Sequence, residues 1–270
     1  MSKTTRGTIL LSWMAFLAVV TVNALANILP INGYNTGEIS AFYPNNFVPA
    51  GFTFSIWGLI YLLLLLYTIT LTIFALHKPL AEHKAHAYID SINHWYLFSC
   101  LLNITWIICW HYLQAVASVI VMLSMLYSLL QVFVKGKAIL KSFPLYLQFL
   151  LGAPFTVYLG WISVATIANI TAYLVKTGWQ GGPLQPDIWS AIMITIAIVL
   201  ALFILLRFRV AGFALTVAWA LWGIRASQGP GSELLLRIST AGVITLLVVV
   251  VIERVVTYFF SSNNFKTIGW

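Results

Sequence analysis

Residues 44–67 read PNNFVPAGFTFSIWGLIYLLLLLY, a Pro-Ala-Gly bend that carries the chain into an apolar helix. Within this stretch Phe54, Trp57 and Tyr61 fall at i, i+3 and i+7, so three aromatic rings share one helical face. Such a stripe is either a packing seam or one wall of a flat pocket. Matching stripes on other helices decide between the two.

The remainder of the chain identifies the solvent. Of 270 residues, 61% are hydrophobic and 7% charged, with a mean hydropathy of +0.96, which places the chain among polytopic membrane proteins. The pattern predicts an all-α fold with about eight transmembrane helices, at 8–29, 52–76, 92–113, 115–134, 144–175, 188–206, 210–226 and 232–256. The apolar run after Lys3 and Arg6 is long enough to span, so it is read as a helix of the protein and not as a cleaved leader. The fifth span is long enough to need tilt or a break, and Pro154 supplies a place for one. Cys100 and Cys109 lie nine residues apart on one predicted helix, about 13 Å along its axis, too far for a disulfide.

Basic residues set the expected orientation. With the N-terminus inside, the inner segments hold Lys3, Arg6, Lys78, Lys84, Lys135, Lys137, Lys141, Arg207, Arg209, Arg254 and Lys266, against Lys176, Arg225 and Arg237 outside. That bias predicts a multi-pass protein of the cytoplasmic membrane with both termini in the cytoplasm. The net charge of +8 then reads as topology and contact with anionic head groups, with membrane lipids as partners and no nucleic acid.

Two further stripes answer the opening question. In the third span LLNITWIICW places Asn103, Trp106 and Trp110 at i, i+3 and i+7, and in the fifth APFTVYLGWISVATIAN places Pro154, Tyr158, Trp161, Ala165 and Asn169 on one face. Amides and indole N–H groups find no partners in lipid, so these faces look inward. Three helices therefore offer aromatic walls with sparse hydrogen-bonding groups, the make-up of a small-molecule pocket.

In these motifs the chain resembles the tryptophan-rich sensory protein, or translocator protein, family (TspO/MBR). That five-helix family carries P-P-x-W-x-F followed by W and L-Y entering its second helix, L-N-x-x-W in the third, and P-Y-x-x-W-x-x-F-A-x-x-L-N in the fifth. The counterparts here are PAGFTFSIWGLIY, LLNITWIICW and PFTVYLGWISVATIAN, where Trp161, Ala165 and Asn169 keep the family spacing. Ala50, Phe52 and Val164 stand where the motifs have Pro, Trp and Phe, and the Trp on which porphyrin photochemistry in some members leans is thus Phe52. The resemblance covers residues 1–176, so the expected organisation is a five-helix ligand-binding bundle at 1–176 and a three-helix extension at 177–270. Long, eight-span relatives are the closer match.

The resemblance implies binding, sensing or transport of a tetrapyrrole, porphyrin or haem, or of another flat hydrophobic ligand, with no cofactor required and a homodimer as the assembly. The ligand-binding residues it and the stripes nominate are Phe52, Phe54, Trp57, Tyr61, Asn103, Trp106, Trp110, Tyr158, Trp161, Ala165 and Asn169. The alternatives are an intramembrane enzyme that degrades porphyrin and a lipid or metabolite transporter. No metalloprotease helix, Gly-x-Ser-x-Gly elbow, phosphate loop or mid-span carboxylate pair occurs in the sequence, so no catalytic residue is nominated. His83, His86, Asp90 and His94 have helical metal-ligand spacing, yet they read as the exposed face of a linker, and no metal is expected. Glu253 beside Arg254 reads as an ion pair at a span end. Arg225 or Arg237 is expected to meet the acidic edge of a porphyrin at the pocket mouth.

Overall fold

The computed structural model describes the backbone of residues 3–76, 82–179 and 182–266 and the side chains of 7–73, 87–179 and 182–259. The described residues form helices only. These are α1 (Lys3–Ile28), α2 (Thr36–Ser40), α3 (Ile56–Leu76), α4 (Glu82–His111), α5 (Ala115–Leu140), α6 (Leu145–Lys176), α7 (Pro186–Phe208), α8 (Ala211–Ser227) and α9 (Glu233–Lys266), with 3₁₀ turns at Ile31–Gly33 and Gly51–Ser55.

Seven of these are long and apolar enough to cross a membrane, which makes the chain a multi-pass membrane protein. The remaining expected span is α8, whose 17 residues lie at the short end of what crosses a bilayer. Three helices run well past their expected ends. α4 begins at Glu82 and not near 92, α5 runs to Leu140 and not 134, and α9 runs to Lys266 and not 256. Hydropathy marks where the apolar stretch stops, while the backbone hydrogen-bond ladder continues beyond it. The bend before α3 is likewise a 3₁₀ turn, so α3 starts at Ile56 and Phe54 precedes it. Pro154 is buried within a helix that continues from Leu145 to Lys176 without a break.

The close hairpin between α4 and α5 turns on Leu113 at φ 54°, and Gln114 N donates back to Cys109 O at 2.8 Å. Both cysteines lie on α4 and are free. Helix α1 packs on α3 and α4, α3 on α6, and α4, α5 and α6 on one another in turn. The C-terminal helices join through α8, which lies against α6 where side chains are smallest. A Cβ at Gly160 would stand 2.9 Å from Phe213 O, and one at Gly212 would collide with Thr156. Small residues at crossings allow the close backbone approach on which helix association in lipid depends.

Polar side chains inside the bundle are tied in series. Asn23 Nδ2 donates to Asn103 Oδ1 at 2.7 Å, Asn103 Nδ2 to Tyr158 OH at 2.9 Å, and Tyr158 OH to Met125 Sδ at 3.2 Å, which links α1, α4, α6 and α5. In a medium without water such partners remove the cost of burying an amide.

Candidate functional site: an aromatic cavity under a braced loop

The C-terminal half of α6 supplies one wall of the site. Trp161, Ala165, Ala168, Asn169 and Ala172 recur at helical spacing and line a common cavity with Val164. α4 adds Trp106 and Trp110, whose rings stack at 5.8 Å and 17°. The 3₁₀ turn and α3 add Phe54 and Trp57. Trp57 is the hub, with Trp106 at 6.4 Å, Trp161 at 6.2 Å and Tyr158 at 5.7 Å, while Tyr61 stacks on it at 5.7 Å. Phe54 meets Trp161 edge-on at 5.9 Å. These are the offset and edge-to-face geometries that aromatic pairs favour.

The space measures about 60 Å³ and is covered by Ser40 at the end of α2 and by Val48 and Pro49 of the α2–α3 connection. None of its lining residues carries an ionisable side chain. Three buried polar atoms on those residues find no protein partner: Trp106 Nε1, Trp161 Nε1 and Asn169 Oδ1. The amide of Asn169 is fixed from its other end, where Nδ2 donates to Ser118 Oγ at 3.2 Å. Trp110, by contrast, is satisfied by Thr36 O at 3.2 Å.

Of the eleven nominated residues, the structure brings Phe54, Trp57, Trp106, Trp110, Trp161, Ala165 and Asn169 to the cavity lining. The other four do not line it. Phe52 is exposed and packs edge-on to Trp219 of α8 at 5.6 Å, because the 3₁₀ turn points it away from Phe54. Tyr61 and Tyr158 stand behind Trp57 as packing partners. Asn103 spends its amide on Asn23 and Tyr158. Sequence reasoning missed Ala168 and Ala172, which continue the Trp161 face and were legible by periodicity. It also missed Ser40, Val48 and Pro49, for which no local pattern exists.

The loop carrying Val48 and Pro49 is held by the C-terminal half of the chain. Ala50 N donates to Gly223 O at 3.0 Å, Trp219 Nε1 to Thr53 O at 3.0 Å, Ser227 Oγ to Val48 O at 2.7 Å, and Gln228 Nε2 to Asn46 O at 3.1 Å. A Cβ at Gly223 would strike the Thr53 side chain, so the loop lies directly on α8. On the far side His111, fully buried, meets Thr36 Oγ1 at 3.1 Å and Ile31 O at 3.0 Å. Beyond the loop a second space of about 720 Å³ opens between the ends of α6 and α8 and the start of α7, and it shares Ser40 and Val48 with the aromatic cavity.

Arg225 and Arg237 line neither space. Arg225 donates to Thr240 Oγ1 at 2.9 Å and lies over Trp222, and Arg237 pairs with Glu233 at 2.8 Å on the surface. The expected linker is the first part of α4, where Asp90 and His94 are exposed, while the side chains of His83 and His86 lie outside the described residues. Glu253 pairs with Arg254 at 2.7 Å.

A membrane helix bundle with an aromatic cavity walled by its third, fourth and sixth helices defines the class. Its sequence matches the TSPO-like protein family over residues 9–253, and the chain belongs to that family. The match continues past residue 176 through α7, α8 and most of α9. No curated protein and no solved structure matches the chain.

Proposed function

We propose that this protein binds a flat, largely apolar small molecule in the aromatic cavity, with a tetrapyrrole as the candidate ligand. The observation that carries this reading is the trio of unpartnered polar atoms, Trp106 Nε1, Trp161 Nε1 and Asn169 Oδ1, on residues that line an otherwise apolar cavity. Each buried group left unpaired costs about 1–3 kcal/mol, so a ligand that brings two acceptors and a donor recovers what the empty fold forfeits. Binding is favoured over catalysis because no lining residue ionises and a general acid or base needs one that does.

Size adds a condition. Small-molecule sites usually enclose about 300–1,000 Å³, and the cavity of about 60 Å³ is far below that. A tetrapyrrole therefore requires Val48 and Pro49 to withdraw, which merges the cavity with the space of about 720 Å³ beyond them. The loop between α2 and α3 is then the gate and α8 its hinge post. The excess of basic residues at the opposite end supports an orientation with both termini in the cytoplasm and this gate on the outer face of the cytoplasmic membrane.

The test is titration of the purified full chain with a free-base porphyrin, followed by quenching of Trp fluorescence. Trp106→Phe and Trp161→Phe keep a ring and remove the N–H, and each should weaken binding about fivefold, corresponding to one net hydrogen bond of ~1 kcal/mol. The double Ala variant should abolish binding. Full affinity in a folded double Ala variant removes the site from this cavity, and porphyrin flux through proteoliposomes of the wild type separates a transporter from a binder.

A further inference from the structure

A second feature lies at the other end of α6, away from the aromatic site. Between α5, α6 and the α7–α8 turn runs a groove of about 760 Å³. Its walls are apolar, with Phe133 from α5, Phe149 and Phe155 from α6, and Leu215 from α8. Its rim is basic: Lys137, Lys141, Arg209 and Arg254 line it, and among the described residues no carboxylate does.

Two of these cations are already engaged. Lys137 donates to Phe208 O and lies over the Phe133 and Phe208 rings at 5.7 and 5.1 Å. Arg254 pairs with Glu253 and donates to Arg209 O, both at 2.7 Å. Glu253 also accepts from Thr257 at 2.9 Å, so its charge is committed. Among the described residues the side chains of Lys141 and Arg209 make no hydrogen bond or ion pair, and both are exposed. Arg209 stands at φ 56° and ψ 43° as the left-handed cap of α7, a position that favours glycine. An arginine is held there against backbone preference, beside a groove with excess positive charge.

We propose that this groove seats one anionic phospholipid of the surrounding membrane, its phosphate between Lys141 and Arg209 and an acyl chain along the apolar wall of α6. The charge complement selects an anion, since four cations line the groove and Glu253, the carboxylate beside Arg254, is paired. The aromatic and aliphatic walls select an anion that carries a hydrocarbon chain over free phosphate. Basic pockets between membrane helices suit anionic head groups on general electrostatic grounds. The groove also occupies the seam where α5 and α6 face α7 and α8, so a lipid there packs both groups of helices.

The test uses the full chain in nanodiscs of phosphatidylcholine with 10% phosphatidylglycerol, and native mass spectrometry after release into mild detergent. One retained phosphatidylglycerol per chain is expected, with saturable stoichiometry. Lys141→Gln and Arg209→Gly each remove a charge, the second with a residue suited to the left-handed turn, and each should weaken retention about fivefold, about 25-fold together. Leu215→Trp, which fills the apolar wall and leaves every charge in place, should also weaken retention. Thermal unfolding in detergent checks that each variant folds. Equal retention of phosphatidylcholine, an unchanged preference in the Lys141→Gln/Arg209→Gly variant, or full retention in Leu215→Trp overturns the proposal. So does displacement of the lipid by millimolar inorganic phosphate, which would reduce the site to a simple anion contact.

Discussion

The two ends of α6 build opposite kinds of concavity. From Trp161 to Ala172 the helix faces a space of about 60 Å³ closed by aromatic rings, with no charge on its lining. From Leu145 to Val157 it faces a groove of about 760 Å³ with four cations on its rim. The first is part of the packed core, since Trp57, Trp106 and Trp161 are all buried within it. The second is a joint between helices whose rim side chains reach solvent. Mutations at the first should therefore disturb folding and ligand together, whereas at the second charge and lipid can change while the fold persists.

The sharpest way to break that contrast is Trp161→Ala. The ring is 3% exposed and touches both Trp57 and Phe54, so its removal should cost about 3–5 kcal/mol of stability as well as porphyrin binding. Thermal unfolding in detergent reads the first effect and Trp quenching the second. A loss of binding with unchanged unfolding would mean that the cavity is a separate pocket and not a part of the core. Next in size is Gly223→Val, which forces the Thr53 turn off α8. Overpacking of this kind costs about 1–3 kcal/mol. Porphyrin should then associate faster, since the loop that closes the cavity has lost its post, and stopped-flow quenching measures that rate.

How much of this was legible beforehand follows from where each part is encoded. The walls were, because Trp106, Trp110, Trp161 and Ala165 repeat at helical spacing within single helices and periodicity survives folding. For Asn103 spacing gives the face but not the partner, and its partners sit on α1 and α6. Phe52 was nominated by its place in the family motif, and a motif position does not record that the 3₁₀ turn sets it against Trp219. The lid and its support were hidden, since Val48, Gly223 and Ser227 meet across about 180 residues and no local pattern records the pairing. The groove was visible only as a count of inner-side cations. Lys141 and Arg209 come from separate loops, and the turns that converge them exist only in three dimensions.

Ala165→Leu separates ligand space from helix packing with a smaller effect. Ala165 is half-buried at the cavity lining on the turn after Trp161, and the added isobutyl group takes up space comparable to the whole cavity. Porphyrin binding should fall by at least tenfold while the unfolding free energy stays within about 1.5 kcal/mol of wild type, the range of tolerated apolar changes. Collapse of the fold would instead make Ala165 a close helix contact.

The smallest expected effect concerns charge at the lid end. A porphyrin presents carboxylates on one edge, and an arginine near the mouth could take one in a paired contact. Arg225 and Arg237 have the right end of the bundle for that role, yet Arg225 donates to Thr240 and lies over Trp222, while Arg237 is turned to Glu233 on the surface. Neither lines the cavity or the space beyond it. Arg225→Gln and Arg237→Gln should therefore leave the preference for free porphyrin over its dimethyl ester unchanged within a factor of two, measured by the same quenching titration. They should also leave phosphatidylglycerol retention intact, since both lie at the opposite end from Lys141 and Arg209. A shift in the acid-to-ester ratio with either variant would bring a basic residue into the aromatic site, and the division between an uncharged cavity at one end of α6 and a charged groove at the other would fall.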